Sequence, residues 1–158
     1  FLIEVLEAVA EVFPIEQIGI RLSPFTHSRG MACPEIVECC LYLAKELSRR
    51  GLAYLHIAEA DWDDAPVVPE LFRQQLRQHF AQAILVAGNY DLAKANWVLQ
   101  HNYADLVGFG RSFIANPDLP YRLRHDLPLA KFAPDKLFGG GLAGYSDYPR
   151  LSLSSLNT

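Results

Sequence analysis

Patterns typical of strands and of helices alternate along most of this chain, and the alternation restricts the folds open to it. Four short apolar runs predict β-strands, at residues 17–23, 53–58, 82–87 and 104–109. Longer amphipathic runs before, between and after them predict helices, at residues 2–13, 34–50, 69–80, 91–101 and 117–124. Strands separated by helices form parallel sheets with right-handed crossovers. The fold class is therefore α/β, either a small open sheet or half of an eight-stranded barrel.

The strand composition and the helix ends add detail to this pattern. The predicted strands are apolar almost throughout, which is typical of parallel strands covered on both faces. Asp91 is expected to cap the start of one helix, and Gly51 is expected to end another. Proline and glycine dominate from residue 127 onward. We expect a single domain over residues 1–158, with residues 127–158 forming a tail over it.

Composition excludes several classes of protein. Hydrophobic residues make up 51% of the 158 residues and charged residues 20%, which is typical of an ordered globular protein. A net charge of −4 gives no general attraction for nucleic acid, and we interpret the basic clusters at 73–77 and 122–124 as solvated helix faces. No apolar run reaches the ~18 residues that a membrane span requires. Neither nucleic acid nor a membrane is an expected partner.

The cysteines and the first residues bear on location and completeness. Three cysteines, two of them adjacent and none in a CxxC motif, predict neither a disulfide framework nor a zinc site. Free thiols fit a reducing compartment, so we expect a cytoplasmic protein that holds no metal. The first residues follow a helical pattern without an N-cap. We therefore expect the chain to be a segment of a longer protein.

Polar residues collect toward the carboxyl ends of the predicted strands, at Arg21, His56, Glu59, Gly88 and Arg111. In barrels and in open α/β sheets alike, that edge is where ligands bind. Arg21 stands between two apolar residues, where an arginine is costly to bury without an anion or several acceptors. Two interpretations stay open: an ion pair with a carboxylate such as Glu59, or a cation directed at an electron-rich part of a cofactor.

Two glycines close two of the strands and indicate a phosphate. Gly88 ends the run AILVAG, and Gly110 ends ADLVGFG just before Arg111. The loops after the last two strands of a β/α barrel commonly bind phosphate. Glycine lets backbone N–H groups approach the phosphate closely, and arginine adds a fixed charge. The sequence therefore predicts a ligand or cofactor that bears a phosphate group.

Five segments follow one another in an order and spacing that resemble a known family. They are GIRLSP, YLHIAEADW, AGNYDLAKA, ADLVGFGRSFIANPDLPYRL and GYSDYP. Together they resemble the C-terminal half of the old yellow enzyme family of FMN-dependent ene-reductases, over residues 1 to about 149. The resemblance implies strands five to eight, with their helices, of a TIM-type (β/α)8 barrel.

The resemblance also implies the cofactor site. It assigns Arg21 to the flavin ring, where a cation near N1 and the C2 oxygen stabilises the reduced anionic flavin. Gly88 and Asn89 correspond to the pair whose backbone donates to the FMN phosphate. Gly110 and Arg111 correspond to a second phosphate clamp after the following strand.

Three further residues are assigned to the substrate pocket by the same resemblance. Trp62 corresponds to an aromatic residue that lines it, and Tyr145 to a tyrosine near flavin and substrate. Arg29 stands where many relatives carry a glutamine near the pocket. For His56 we expect a hydrogen-bonded core residue rather than a catalyst.

The resemblance implies reduction of activated alkenes, among them α,β-unsaturated carbonyls, maleimides and nitro compounds, by hydride transfer from FMN that NAD(P)H has reduced. The family's catalytic residues lie in the N-terminal half of the barrel, so none is expected in this chain and the isolated segment is expected to be inactive. A half-barrel needs a partner for its sheet edges, either the missing N-terminal half or a second copy. The alternative is a non-catalytic half-barrel that acts as a structural or subunit partner.

Overall fold

The computed structural model describes residues 1–26, 33–59, 66–138 and 141–151. The chain divides into two compact units, Phe1–Gly108 and Phe109–Thr158. Among the described residues, no helix is long and apolar enough to cross a membrane.

Strands and helices alternate through the first unit. Its described strands are β1 (Gly19–Leu22), β2 (Tyr54–Ala58), β3 (Ala83–Ala87) and β4 (Leu106–Gly108). Its described helices are α1 (Leu2–Ala10), α2 (Ile36–Arg50), α3 (Glu70–His79) and α4 (Leu92–Gln100). The predicted alternation is therefore confirmed, with strands one to three residues shorter at their ends than the apolar runs suggest.

The four strands form one parallel sheet in the order β1-β2-β3-β4, and it is not a closed barrel. In a doubly wound open sheet the strand order reverses, which sends helices to both faces. Here the order follows the chain, so right-handed crossovers carry successive helices to the same face. In agreement, α2 packs against α3. This arrangement is that of a barrel wall, and it decides between the two architectures that the sequence pattern allowed.

The two faces of the sheet differ in burial. Leu55, Ile57, Ile84 and Val86 lie on one face and are at most 1% exposed. On the other face, Arg21 is paired in register with His56, Leu85 and Leu106, and both Arg21 and Leu106 are exposed. The expectation that both faces are covered is therefore wrong for the described chain, because the helices cover one face only. In a closed barrel the opposite face would line the interior.

The helix ends follow local chemistry. The Asp91 carboxylate accepts a hydrogen bond from the Lys94 N–H at 2.7 Å, which caps α4 as predicted. Gly51 ends α2 with a φ of 78°, a conformation that glycine adopts without steric cost. Helix α1 ends at Ala10 rather than at residue 13, because Pro14 has no N–H to extend the helix and its ring would clash with a helical Ala10 carbonyl.

The second unit begins with two short helices, α5 (Arg111–Ala115) and α6 (Leu119–Arg124). The buried Asn116 between them donates to the Ser112 and Ala130 carbonyls at 2.8 and 3.0 Å and accepts from the Ala130 N–H at 2.7 Å. Helix α5 is absent from the sequence-based prediction, because its five residues are too few to show a helical period.

The tail is tied to these helices. Asp118 accepts from the Leu151 N–H at 2.8 Å and from Arg122 Nε at 2.8 Å. The half-buried Tyr148 hydroxyl accepts from the Ala133 N–H at 2.9 Å, which gives this tyrosine a structural role. Arg122 is only 5% exposed, so the interpretation of residues 122–124 as a wholly solvated face is wrong at this position.

Candidate functional site

The ends of β2 and β3 meet at the carboxyl edge of the sheet. The backbone N–H of Glu59, the residue after β2, donates to the Ala87 carbonyl at 2.8 Å. Gly88 and Asn89 follow Ala87 directly. Because the strands are parallel, Glu59 and the Gly88–Asn89 turn lie side by side at this edge.

Glu59 anchors a buried polar cluster below that turn. Its side chain is 1% exposed and receives two hydrogen bonds from Arg73 of α3, one of them from Nη2 to Oε2 at 2.8 Å. The Tyr90 hydroxyl donates to the same Oε2 at 2.8 Å. The cluster therefore joins the end of β2, the middle of α3 and the segment after β3.

Lys94, in the first turn of α4, connects this cluster to the turn. Its Nζ donates to the Gly88 carbonyl oxygen at 3.2 Å and lies 3.7 Å from Glu59 Oε2. The ammonium also lies 4.2 Å from the centre of the Tyr90 ring, within the range of a cation–π interaction. Three separate contacts thus hold one cation beneath Gly88.

The electrostatics of the cluster favour its charged form. Burial, and then the charge of Glu59, raises the pKa of the Tyr90 hydroxyl well above its usual range, so it stays a neutral donor. Burial opposes the charge on Arg73, but its hydrogen bonds and proximity to Glu59 raise the pKa of its guanidinium overall. One carboxylate and two cations carry a formal charge of +1 next to the turn.

The turn itself presents backbone donors. Gly88 has a φ of 154° and Asn89 a φ of 49°, so both adopt backbone conformations that side chains disfavour. Among the described residues, neither the Gly88 N–H nor the Asn89 N–H has an acceptor. Adjacent unpaired N–H groups beside a net positive charge fit a phosphate group. The assignment of Gly88 and Asn89 to a phosphate stays a prediction, and this geometry is compatible with it.

Arg21 and His56 form the second feature on the open face. They are paired in register on β1 and β2. The ion pair between Arg21 and Glu59, one of the two interpretations of Arg21, is not formed, because Glu59 binds Arg73 instead. Within the described part of the chain Arg21 has no ion pair, and its exposed guanidinium is open to a ligand.

His56 is held neutral beside this cation. Burial, and then the charge of Arg21, lowers the pKa of its imidazole. Its buried Nε2 atom has no hydrogen-bond partner among the described residues. The expected core hydrogen bond is therefore absent at this nitrogen, which leaves a polar atom on the face where the sequence predicts a cofactor.

Gly110 and Arg111 belong to the second unit. Gly110 is the N-cap residue of α5 with a φ of −95°, and a Cβ added there would meet nothing within 4 Å. Steric crowding by the described residues is therefore not the reason that glycine occupies position 110. Arg111 is half-buried, with its guanidinium 5.8 Å from the centre of the Phe132 ring.

The predicted pocket residues have different outcomes. Tyr145 lies in the second unit with 69% of its surface exposed, so its ring is accessible. Trp62 and Arg29 lie outside the described residues, and their assignment stays a prediction.

Sequence reasoning missed Arg73, Tyr90 and Lys94. Arg73 is 4% exposed, so the interpretation of residues 73–77 as a solvated face is wrong there. The available signal was the position of Arg73 between Phe72 and Leu76, which form the buried side of α3. Glu59, an acid directly after an apolar strand, supplied the matching signal for a buried partner.

Comparisons with known proteins are consistent with this geometry. Residues 1–130 match the family described as NADH:flavin oxidoreductase / NADH oxidase. A 12-oxophytodienoate reductase-like protein of Solanum lycopersicum is 34% identical over 97% of the chain and 41% of its own length.

Two solved structures extend the comparison. Morphinone reductase in complex with tetrahydroNAD is 47% identical with a TM-score of 0.88, over 97% of this chain and 41% of its own. The old yellow enzyme of Trypanosoma cruzi is 28% identical with a TM-score of 0.85, over 96% of this chain and 40% of its own. The chain thus spans about 40% of the length of the relatives it matches.

Proposed function

This chain belongs to the NADH:flavin oxidoreductase / NADH oxidase family, and on that premise we propose that it forms the FMN-binding part of an NAD(P)H-dependent alkene reductase. The observation that carries the proposal is the Gly88–Asn89 turn. Its two N–H groups lack acceptors among the described residues, and a cluster with a formal charge of +1 lies beneath it.

The residues of this chain bind and orient the cofactor. Backbone N–H groups of Gly88 and Asn89 would donate to the phosphate, and the family resemblance adds Gly110 and Arg111 as a further donor and a fixed positive charge. The exposed Arg21 would hold its guanidinium toward the electron-rich part of the flavin ring, where a cation would favour the reduced anionic form. His56 stays neutral and adds no second charge beside Arg21.

FMN held by these residues would supply the redox chemistry, namely hydride transfer from NAD(P)H to an activated alkene, which no side chain of this chain provides. The relatives support this choice of reaction. One of them is a morphinone reductase whose structure holds tetrahydroNAD, and another is a 12-oxophytodienoate reductase-like protein. The proposed substrates are small electrophilic alkenes, namely α,β-unsaturated carbonyls, maleimides and nitro compounds. Trp62, Tyr145 and Arg29 line the substrate side in this proposal.

The proposed partner is the rest of the barrel, on the same polypeptide or on another chain. Strands β1 and β4 are the edges of the sheet, and unpaired edges favour strand addition. The exposed Leu106 and Tyr54 lie on the open face, where barrel closure would bury them. Self-association through these edges is the second possibility.

A different class of function competes with this one. A half-barrel that serves only as a structural or subunit partner would keep the fold without binding flavin. The positive charge beside the Gly88–Asn89 turn, together with two backbone donors that no described residue engages, favours flavin binding over that role.

The test is a reconstituted reaction. The chain is assembled with the complementary part of the morphinone reductase barrel, and NAD(P)H oxidation is followed with 2-cyclohexenone or N-ethylmaleimide. We expect turnover that requires FMN, the alkene and both barrel parts. A stable assembly that shows no FMN-dependent oxidation of NAD(P)H with either alkene would contradict the flavoenzyme proposal and favour the structural role.

A further inference from the structure

We propose that Lys94 is a positioning residue for the flavin phosphate, acting through the Gly88 carbonyl. The inference rests on the proposed function, because it concerns the same FMN site. Lys94 is absent from the set of residues that the sequence assigned to the cofactor, and it acts on the ligand through the backbone rather than by contact.

The first step is the orientation of one peptide plane. In a trans peptide the carbonyl and the following N–H point in opposite directions, and no cis peptide occurs among the described residues. The Gly88 carbonyl points at Lys94 Nζ, 3.2 Å away. The N–H of Asn89 therefore points away from Lys94, where it has no acceptor among the described residues. Lys94 thus fixes the direction of a phosphate donor.

The turn needs such a restraint. Gly88 and Asn89 both have positive φ angles, and glycine at this position can adopt many other conformations. Without the Lys94 contact, the Gly88–Asn89 peptide could rotate and present its carbonyl oxygen, rather than its N–H, to an anion. A carbonyl oxygen repels phosphate, so the orientation of this plane matters for binding.

The second step is how Lys94 is held in place. The Asp91 cap fixes the first turn of α4, and helical side chains point toward the helix N-terminus. Lys94 therefore reaches back toward Gly88, six residues earlier. Glu59, itself fixed by Arg73 and Tyr90, lies 3.7 Å from the ammonium, so its charge favours the orientation of Lys94 toward the turn.

The third step is charge. The ion pair between Glu59 and Arg73 is neutral as a unit, so the charge of Lys94 is the net charge of the cluster. That charge attracts a phosphate dianion, although the 35% exposure of the Lys94 side chain allows some screening by solvent. The orientation of the Asn89 N–H and the attraction by the Lys94 charge both favour binding, and both act on the phosphate rather than on the flavin ring.

This specificity gives the test a readout that a merely structural role would not change. Riboflavin has the same ring system as FMN and lacks the phosphate. The quantity to measure is the ratio of the riboflavin Kd to the FMN Kd, obtained from quenching of flavin fluorescence. The chain is titrated alone and assembled with the complementary part of the morphinone reductase barrel.

The variants are Lys94→Met, Lys94→Arg and the matched control Lys45→Met. Lys45 is an exposed lysine of α2, so its loss changes the total charge equally and leaves the turn intact. We expect K94M to weaken FMN binding about tenfold, in line with the loss of one charge-assisted hydrogen bond. The riboflavin Kd of K94M should stay the same. The ratio of riboflavin Kd to FMN Kd should return most of the way to that of the unaltered chain in K94R and should be unchanged in K45M.

The outcomes separate the two proposals. Failure of the unaltered chain to bind FMN in either form would overturn the proposed function and this inference with it. If the unaltered chain binds FMN and K94M has the same ratio of riboflavin Kd to FMN Kd as the unaltered chain, the inference alone is overturned. A third outcome would also overturn the inference, by assigning Lys94 a structural role. In that outcome K94M binds FMN and riboflavin more weakly by the same factor, and its melting temperature falls while that of K94R does not.

Discussion

Arg73 Nη2 lies 2.8 Å from Glu59 Oε2 in a buried two-point ion pair that joins α3 to the end of β2. The two side chains are 5% and 1% exposed, and the residues are fourteen positions apart in the chain. The pair forms the centre of the polar cluster of Glu59, Arg73, Tyr90 and Lys94 next to the Gly88 turn. It therefore links the stability of the first unit to the geometry of the proposed phosphate site.

Removing one partner of this pair should be strongly destabilising. Arg73→Met leaves the Glu59 carboxylate buried without its main partner, and we expect a loss of about 3 kcal/mol in the free energy of unfolding. The measurement is urea denaturation followed by circular dichroism. Arg124→Met, at an exposed arginine of α6, is the control and should change stability by less than about 0.5 kcal/mol.

The double variant Glu59→Gln/Arg73→Met tests the cause of that loss. If an unpaired buried charge is responsible, neutralising Glu59 should recover part of the stability lost in R73M. Losses that simply add in the double variant would contradict the proposed role of the charge.

The Asp91 cap should have a smaller, local effect. Asp91→Ala removes the acceptor for the Lys94 N–H and should cost about 1 kcal/mol. Asp91→Asn, which can still accept this hydrogen bond, should cost less. The measurement is again the free energy of unfolding in urea, and equal losses in the two variants would show that the hydrogen bond is not the source of the effect.

Asp105 should contribute to the fall in the free energy of unfolding at acid pH. Burial by itself raises the pKa of its carboxyl, but hydrogen bonds from the Ile84 N–H and from Arg77 outweigh burial and leave the pKa below its usual range. A lowered folded-state pKa gives stability that is present above the unfolded-state value near 3.9 and is lost as the pH falls through the folded-state value.

Asp105→Asn removes that dependence. We expect the unaltered chain to lose more stability than D105N between about pH 6 and pH 3, measured by urea denaturation at each pH. Parallel pH profiles for the two proteins would contradict the assignment. The exposure of this side chain limits the size of the effect but does not change its sign.

The three cysteines should differ in reactivity. Cys33 and Cys39 are exposed, whereas Cys40 is buried. Burial, and then the proximity of Cys39, raises the pKa of the Cys40 thiol to about 11, so little thiolate forms near neutral pH. At pH 8, a disulfide reagent such as DTNB should modify Cys33 and Cys39 first, and Cys40 at a comparable rate only after unfolding. Equal rates for the three thiols in the folded chain would show that Cys40 is accessible.

Much of this fold could be predicted because its signals are local. Asp91 caps a helix with its own side chain, and Gly51 ends one through its own backbone, so neither depends on distant residues. The parallel sheet follows from the alternation of elements. The choice between open sheet and barrel wall needed the strand order, which is a long-range property and leaves no local pattern.

The candidate site was only partly predictable for the same reason. Gly88 and Asn89 carry a recognisable pattern after a strand. Arg73 looks like a surface residue until Glu59 meets it from another element. Lys94 likewise gains its role from a carbonyl in a turn that periodicity cannot position. The roles of Arg73 and Lys94 both depend on contacts between segments that are distant in the chain, and such contacts leave no local pattern in a single sequence.

The most direct test of the central claim is an equilibrium titration of the purified chain with FMN, followed by flavin fluorescence. It is run with the chain alone and with the complementary part of the barrel added. We predict saturable binding in at least the assembled form. Binding by the chain alone would show that this part of the barrel already holds the phosphate site in place. No saturable binding in either form would contradict the account and leave the chain a structural half-barrel.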